Sequence, residues 1–277
     1  MQDIGGCRAV LPNARKVIQL VNTYKKSQSK NPSKRCYCDG FDDFDYIHEP
    51  KPDGYRSIHL IARFRTSSSQ RKMYNEQRIE IQIRSKLQHL WATAVETAQV
   101  FTGQALKSKF KNATEDWLRF FALTSNAFAL RERMPPVPGT PEDREQLVSE
   151  LKSIVERANI MDTLWGLSNT VRHIAQHKRE VVGAQMFLLV LDPATRELST
   201  TAFSQEEIVE AQKEYQEREK DADSDPNKQV VLVSVESVDA LRKAYPNYYV
   251  DTKEFINAVW AEMHPNKKQP KRKTTSV

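Results

Sequence analysis

The chain has 277 residues, 39% of them hydrophobic and 28% charged, with a formal net charge of +6. That length and balance fit a globular protein of one large and one small domain or two of middling size, and three cysteines (Cys7, Cys36, Cys38) are too sparse for a disulfide framework. No run approaches the roughly 18 uncharged apolar residues of a membrane span, and no basic-then-apolar leader opens the chain. A cytoplasmic protein with no membrane partner is therefore expected.

Residues 4–11 read as a short buried strand ended by Pro12. Asn13 is placed to cap a following helix whose apolar face is Val17, Ile18, Leu20 and Val21. Residues 27–53 are polar and carry Pro32, Pro50 and Pro52, which predicts a long loop. Residues 55–65 and 78–84 alternate with the two-residue period of half-buried strands. Helices are predicted over about 86–101, 114–133 and 142–177. The proline-rich stretch at 135–139 between the second and third is the expected domain boundary.

Further on, residues 186–191 and 198–203 predict a hairpin, 205–220 a charged helix and 221–226 a loop. Residues 230–235 predict a strand, and 238–244 and 252–262 helices. The expected domains are residues 1–134, a helical connector at 135–180, a small α+β unit at 181–265 and a basic disordered tail at 266–277.

On a strand, alternate side chains face opposite ways. In residues 78–84, Ile79, Ile81 and Ile83 then face a core, while Glu80, Gln82 and Arg84 line the other surface. A strand over 55–60 likewise turns Ile58 and Leu60 inward and Tyr55, Ser57 and His59 outward. Pairing the two strands gathers a carboxylate, an amide, a guanidinium, an imidazole and a phenol on one face, a set suited to a polyanion. The plainer reading is a solvated polar face, and Arg56 is expected to be solvated. Other signals are weaker. His173 and His177 lie four apart without the glutamate of a zinc-protease helix, Cys36 and Cys38 lack a second pair, and Gly5-Gly6 is not a P-loop.

Three segments together resemble the synthetase domain of the RelA/SpoT alarmone enzymes. Lys51-Pro52-Asp53-Gly54-Tyr55-Arg56-Ser57-Ile58-His59 resembles that family's guanine-nucleotide segment. Glu80-Ile81-Gln82-Ile83-Arg84, with His89 and Trp91-Ala92 following, resembles its catalytic strand and helix. Asp3-Ile4-Gly5-Gly6-Cys7-Arg8 resembles its metal-binding strand. The resemblance covers residues 1–130 or so, with the segments in the family's order.

The fold it implies is α+β, a mixed sheet flanked by helices. The activity it implies is transfer of pyrophosphate from ATP to the 3′-hydroxyl of GTP or GDP, with Mg²⁺. In that reading Asp3 and Glu80 hold the metal, and Glu80 takes the hydroxyl proton. Tyr55 stacks on guanine, Lys51 and His59 contact the acceptor's phosphates or sugar, and Arg8 stacks on adenine. Gln82 and Arg84 line the substrate surface, with Arg84 neutralising phosphate charge. His89 either reads the guanine edge or packs. The family's ATP site begins upstream of its metal-binding strand, so the expectation is a chain lacking half of that donor site. Two alternatives stay open: pyrophosphorylation of a tRNA 3′ end, and a non-catalytic guanine-nucleotide-binding module. A homo-oligomer is compatible with all three.

Overall fold

The structure is a computed structural model. It describes residues 5–30, 38–105, 111–177, 183–192, 197–222, 229–236, 243 and 248–265. Asp3, the tail and most of the expected helix over 238–244 lie outside the described residues. The chain divides into two compact units, Met1–His89 with Ala122–Glu142, and Leu90–Phe121 with Asp143–Val277.

The first unit is built on a four-stranded mixed sheet. Its strands are β1 (Gly5–Leu11), β2 (Cys38–Asp45), β3 (Ile58–Phe64) and β4 (Arg78–Ser85), in the order β1-β4-β3-β2. β1 runs parallel to β4, and the other neighbours are antiparallel. Helix α1 (Ala14–Lys30) covers one face. Its Ala14, Val17 and Val21 pack with Ile47, Ile58, Leu60 and Ile83 to form the core. This follows the predicted alternation, since every second residue of β3 and β4 turns toward the helix. Asn13 caps α1 as expected, its Oδ1 accepting from Lys16 N at 3.0 Å.

Several expectations need correction. Residues 27–53 are not one loop, because α1 continues to Lys30 and β2 forms from Cys38. β2 is rich in aspartate, a poor strand former, and its pairing with β3 overrides that propensity. β1 is an edge strand with mostly exposed side chains rather than a buried one. Arg56 is not solvated. It is 3% exposed and donates to the carbonyls of Ile47 at 2.9 Å and Pro135 at 2.5 Å. Val137 is also buried and donates to Asn126 Oδ1, so the proline-rich stretch is tied inside the first unit, which extends to Glu142.

Helices α2 (Lys86–Ala105) and α3 (Lys111–Glu132) follow β4. The helical stretch at 142–177 is two helices, α4 (Arg144–Arg157) and α5 (Ile160–His177), broken where Asn159 takes a left-handed φ of 46°. In the second unit, β5 (Ala184–Asp192), β6 (Glu197–Ser204) and β7 (Gln229–Ser234) form an antiparallel sheet in the order β6-β5-β7. Helix α6 (Ile208–Ala222) packs on it through Ala211 and Tyr215, against Leu188, Phe203 and Leu232. Helix α7 (Tyr248–Met263) carries Phe255, which is fully buried among Phe120 and Phe121. Among the described residues no helix is long and apolar enough to cross a membrane.

Candidate functional site

The face of the first sheet opposite α1 carries the polar residues singled out from sequence. Register makes them neighbours, because opposed residues on paired strands share a face. One cross-strand row is Phe44, His59, Gln82 and Arg8. The adjacent row is Asp42, Ile61, Glu80 and Gly6. A Cβ placed on Gly6 would meet only the Glu80 carbonyl oxygen, at 3.4 Å, so β1 adds no side chain beside the Glu80 carboxylate.

A connected network links this face to the loop before β3. His59 Nδ1 contacts Glu80 Oε1, with the two side chains 16% and 15% exposed. The other ring nitrogen, Nε2, lies 2.7 Å from the Tyr55 hydroxyl. Arg84 Nη2 donates to that hydroxyl and to Gln82 Oε1, both at 2.9 Å. Gln82 Nε2 lies 3.5 Å from Glu80 Oε1, and Arg8 Nε reaches Gln82 Oε1 at 3.4 Å, which are weak contacts at best.

The plainer reading of β4, a solvated polar face, does not hold at its C-terminal end: Arg84 is 3% exposed. Its Nε and Nη1 are buried and make no hydrogen bond among the described residues. An arginine cannot shed its charge at ordinary pH, so the two buried guanidinium nitrogens beside Tyr55 and Gln82 keep hydrogen-bonding capacity that no described residue meets.

The loop carrying Lys51 and Tyr55 is held by short-range bonds. Gly54, at a φ of 93° that favours glycine, turns the chain, its N–H donating to Lys51 O at 2.9 Å. Ser125 Oγ donates to Gly54 O at 2.6 Å, and Asp53 Oδ1 accepts from Tyr55 N at 2.8 Å. Lys51 is exposed, its Nζ 4.6 Å from the ring centre of Tyr46 and 5.3 Å from that of Tyr55. His89 is partly buried on the first turn of α2.

Two residues of this region were not anticipated. Tyr46 presents edge contacts to Tyr55 and His59, with ring centres 5.8 and 5.4 Å apart. Its signal was hidden inside a stretch read as loop. Glu132 accepts from Ala14 N at 3.0 Å and Ser85 Oγ at 2.9 Å, joining the start of α1 to the end of β4. Burial pushes its carboxyl above the ordinary range, opposed by Ser85, Ala14 and Arg56. Arg56 is lowered to about 10 by the same burial, with Glu132 opposing. Nothing local in the sequence marks that pairing, 76 residues apart.

The chain is similar to known proteins, and the family match falls on this region. The family model described as "Region found in RelA / SpoT proteins" matches residues 1–103. A curated relative, GTP pyrophosphokinase YwaC of Bacillus subtilis (strain 168), is 32% identical over 93 residues, 34% of this chain and 40% of that protein. The chain thus matches well under half of the relative's length. The small alarmone synthetase 1 of Bacillus subtilis, bound to its product pppGpp, is 27% identical, covering 48% of this chain and 60% of that one, with a TM-score of 0.35. Small alarmone synthetase 2 of the same organism is 25% identical, over 47% and 64%, with a TM-score of 0.36. Over its first 103 residues, then, the chain is similar to the RelA/SpoT proteins.

Proposed function

We propose that the chain is a pyrophosphotransferase that moves the pyrophosphoryl group of ATP to the 3′-hydroxyl of GTP or GDP. The observation that carries this reading is the linked set of His59, Glu80 and Arg84 on one sheet face with Tyr55 of the loop before β3, with two buried guanidinium nitrogens unpaired among the described residues. In the proposed step the ribose 3′-hydroxyl gives its proton to the Glu80 carboxylate and the 3′-oxygen bonds to the β-phosphorus of ATP. The bond from that phosphorus to the α,β-bridging oxygen breaks, and AMP leaves with the electron pair. His59 holds the carboxylate through Nδ1 and is itself oriented by the Tyr55 hydroxyl. Arg84 meets phosphate oxygens, since such transfer rests on positioning and charge stabilisation. Lys51 and Tyr55 take the acceptor nucleotide, Arg8 the adenine, and His89 either the guanine edge or a packing role.

Mg²⁺ is bound through oxygen, by one or two carboxylates plus substrate phosphates. Glu80, flanked by the bare Gly6, fits as one such ligand, and Asp3 is the expected second. No cluster of three or more acidic, histidine or cysteine side chains forms among the described residues. When bound, the ion neutralises phosphate charge.

A second acceptor, the 3′ end of a tRNA, is favoured by the connection between β3 and β4. There Arg71, Lys72, Met73 and Tyr74 are all exposed, a pairing of cations with an aromatic ring that suits unpaired bases. The deciding experiment incubates the chain with labelled ATP, Mg²⁺ and GDP, GTP or tRNA and separates the products. Glu80→Gln is expected to lower transfer by about 100-fold or more while the circular dichroism spectrum is unchanged. Transfer within a few-fold of the parent would remove Glu80 from the chemistry.

A further inference from the structure

We infer that Tyr46 is a positioning residue for the acceptor side of the site, acting through Lys51. This rests on the reading above, in which Lys51 meets the acceptor's phosphates. The backbone sets the ring first. Tyr46 N donates to Ser57 O at 3.0 Å, which carries the β2–β3 ladder one residue beyond Asp45. Asp45 then stops the strand, its Oδ1 accepting from Ile47 N at 3.0 Å and His48 N at 3.1 Å. By alternation from Phe44, which stands in the row of His59, Tyr46 is left on the site face. Phe44 stacks nearly parallel to it, with centres 6.2 Å and planes 10° apart.

The ring so placed meets Lys51 with one part and His59 and Tyr55 with another. Lys51 Nζ lies nearer the Tyr46 centre, at 4.6 Å, than that of Tyr55, at 5.3 Å. A lysine on an exposed loop samples many rotamers, and binding a phosphate freezes them at an entropic cost. Cation–π attraction from Tyr46 confines the ammonium before the nucleotide arrives. An anion arriving at Lys51 is neither repelled nor competed for, because a ring, unlike a carboxylate, leaves the charge unneutralised. That is the advantage of an aromatic tether over an ion pair at a phosphate site.

The test measures GDP binding by calorimetry and steady-state transfer for the 277-residue chain. Tyr46→Leu is expected to raise the GDP Kd and KM by about three- to tenfold with a smaller change in kcat, the size of an exposed cation–π contact plus lost preorganisation. Tyr46→Phe keeps the ring face and is expected to bind within about twofold of the parent. In a Lys51→Met background the Tyr46→Leu penalty should shrink to under about twofold, because the charge through which the ring acts is gone. An unchanged penalty in that background, or a Tyr46→Phe defect as large as that of Tyr46→Leu, overturns the inference. Proton NMR supplies an arm independent of nucleotide: the Lys51 ε-methylene should be shifted upfield by the ring in the free protein and lose the shift in Tyr46→Leu but not in Tyr46→Phe. Failure of the parent to bind GDP with that shift intact would reject the acceptor reading and leave the contact standing. Absence of the shift would reject the contact itself.

Discussion

Tyr55 illustrates how one side chain serves two purposes that a motif cannot separate. Its hydroxyl ties His59 to Arg84, and its ring lies near two cations, Lys51 and Arg84. Removing only the hydroxyl tests the first purpose. Tyr55→Phe is expected to lower kcat by roughly tenfold with little change in GDP affinity, since a hydrogen bond to a charged group is worth about 1.5–3 kcal/mol and the ring survives. Tyr55→Ala should in addition weaken GDP binding by about tenfold, on the scale of base–aromatic stacking at about 1–3 kcal/mol. Kinetics and calorimetry on the two variants separate the effects. Equal GDP affinity in Phe and Ala variants would show that no base rests on this ring. At this scale the sequence was informative for Glu80, Gln82, Arg84 and His59, which strand alternation places on one surface; Tyr55 lies in the loop before β3 rather than on a strand, and Ser57, expected to face outward, is buried. It was silent on Arg56, whose burial depends on carbonyls at Ile47 and Pro135.

Elements of the first unit are joined by Glu132 at the end of α3. Its carboxylate receives the first N–H of α1, which has no partner within the helix, and the Ser85 hydroxyl where β4 ends. Burial raises its pKa above the ordinary 4.5. The folded state therefore holds this proton more tightly than the unfolded chain. Its contribution is fully present below the unfolded pKa and declines as pH rises through the raised folded value. Glu132→Gln, which cannot ionise, lacks that dependence. Urea midpoints of the parent relative to Glu132→Gln should fall as pH is raised from about 4 to about 8. A constant difference over that range would show that Glu132 does not titrate differently on folding. β2 belongs to the same scale. Its four aspartates argue against a strand, and only the partner edge of β3 makes one.

Across the whole molecule, the four tryptophans, Trp91, Trp117, Trp165 and Trp260, all fall in the second unit, while Tyr46, Tyr55, His59 and Glu80 fall in the first. Intrinsic tryptophan fluorescence therefore reports on the second unit, while the proposed nucleotide site lies in the first. Phe255 has no exposed surface and meets Phe120 and Phe121 at 6.2 Å between ring centres. Phe255→Ala should cost about 3–5 kcal/mol, read as a lowered urea midpoint of tryptophan fluorescence. A midpoint unchanged by the substitution would show that the ring cluster does not stabilise this unit.

Local pattern determined a good deal of this protein. The alternation within β3 and β4, the Asn13 cap and the spacing of Lys51, Tyr55 and His59 all act over a few residues, so they are readable before any fold is known; that β3 starts only at Ile58 is not. The tertiary structure alone decided that the aspartate-rich segment becomes β2, that β1 lies at an edge and that Tyr46 faces the site. It alone also decided that Arg56 is buried and that Glu132 reaches Ala14. These features rest on hydrogen bonds and burial between residues far apart in the chain, and no short window of sequence carries the energy of a contact whose two halves it does not contain.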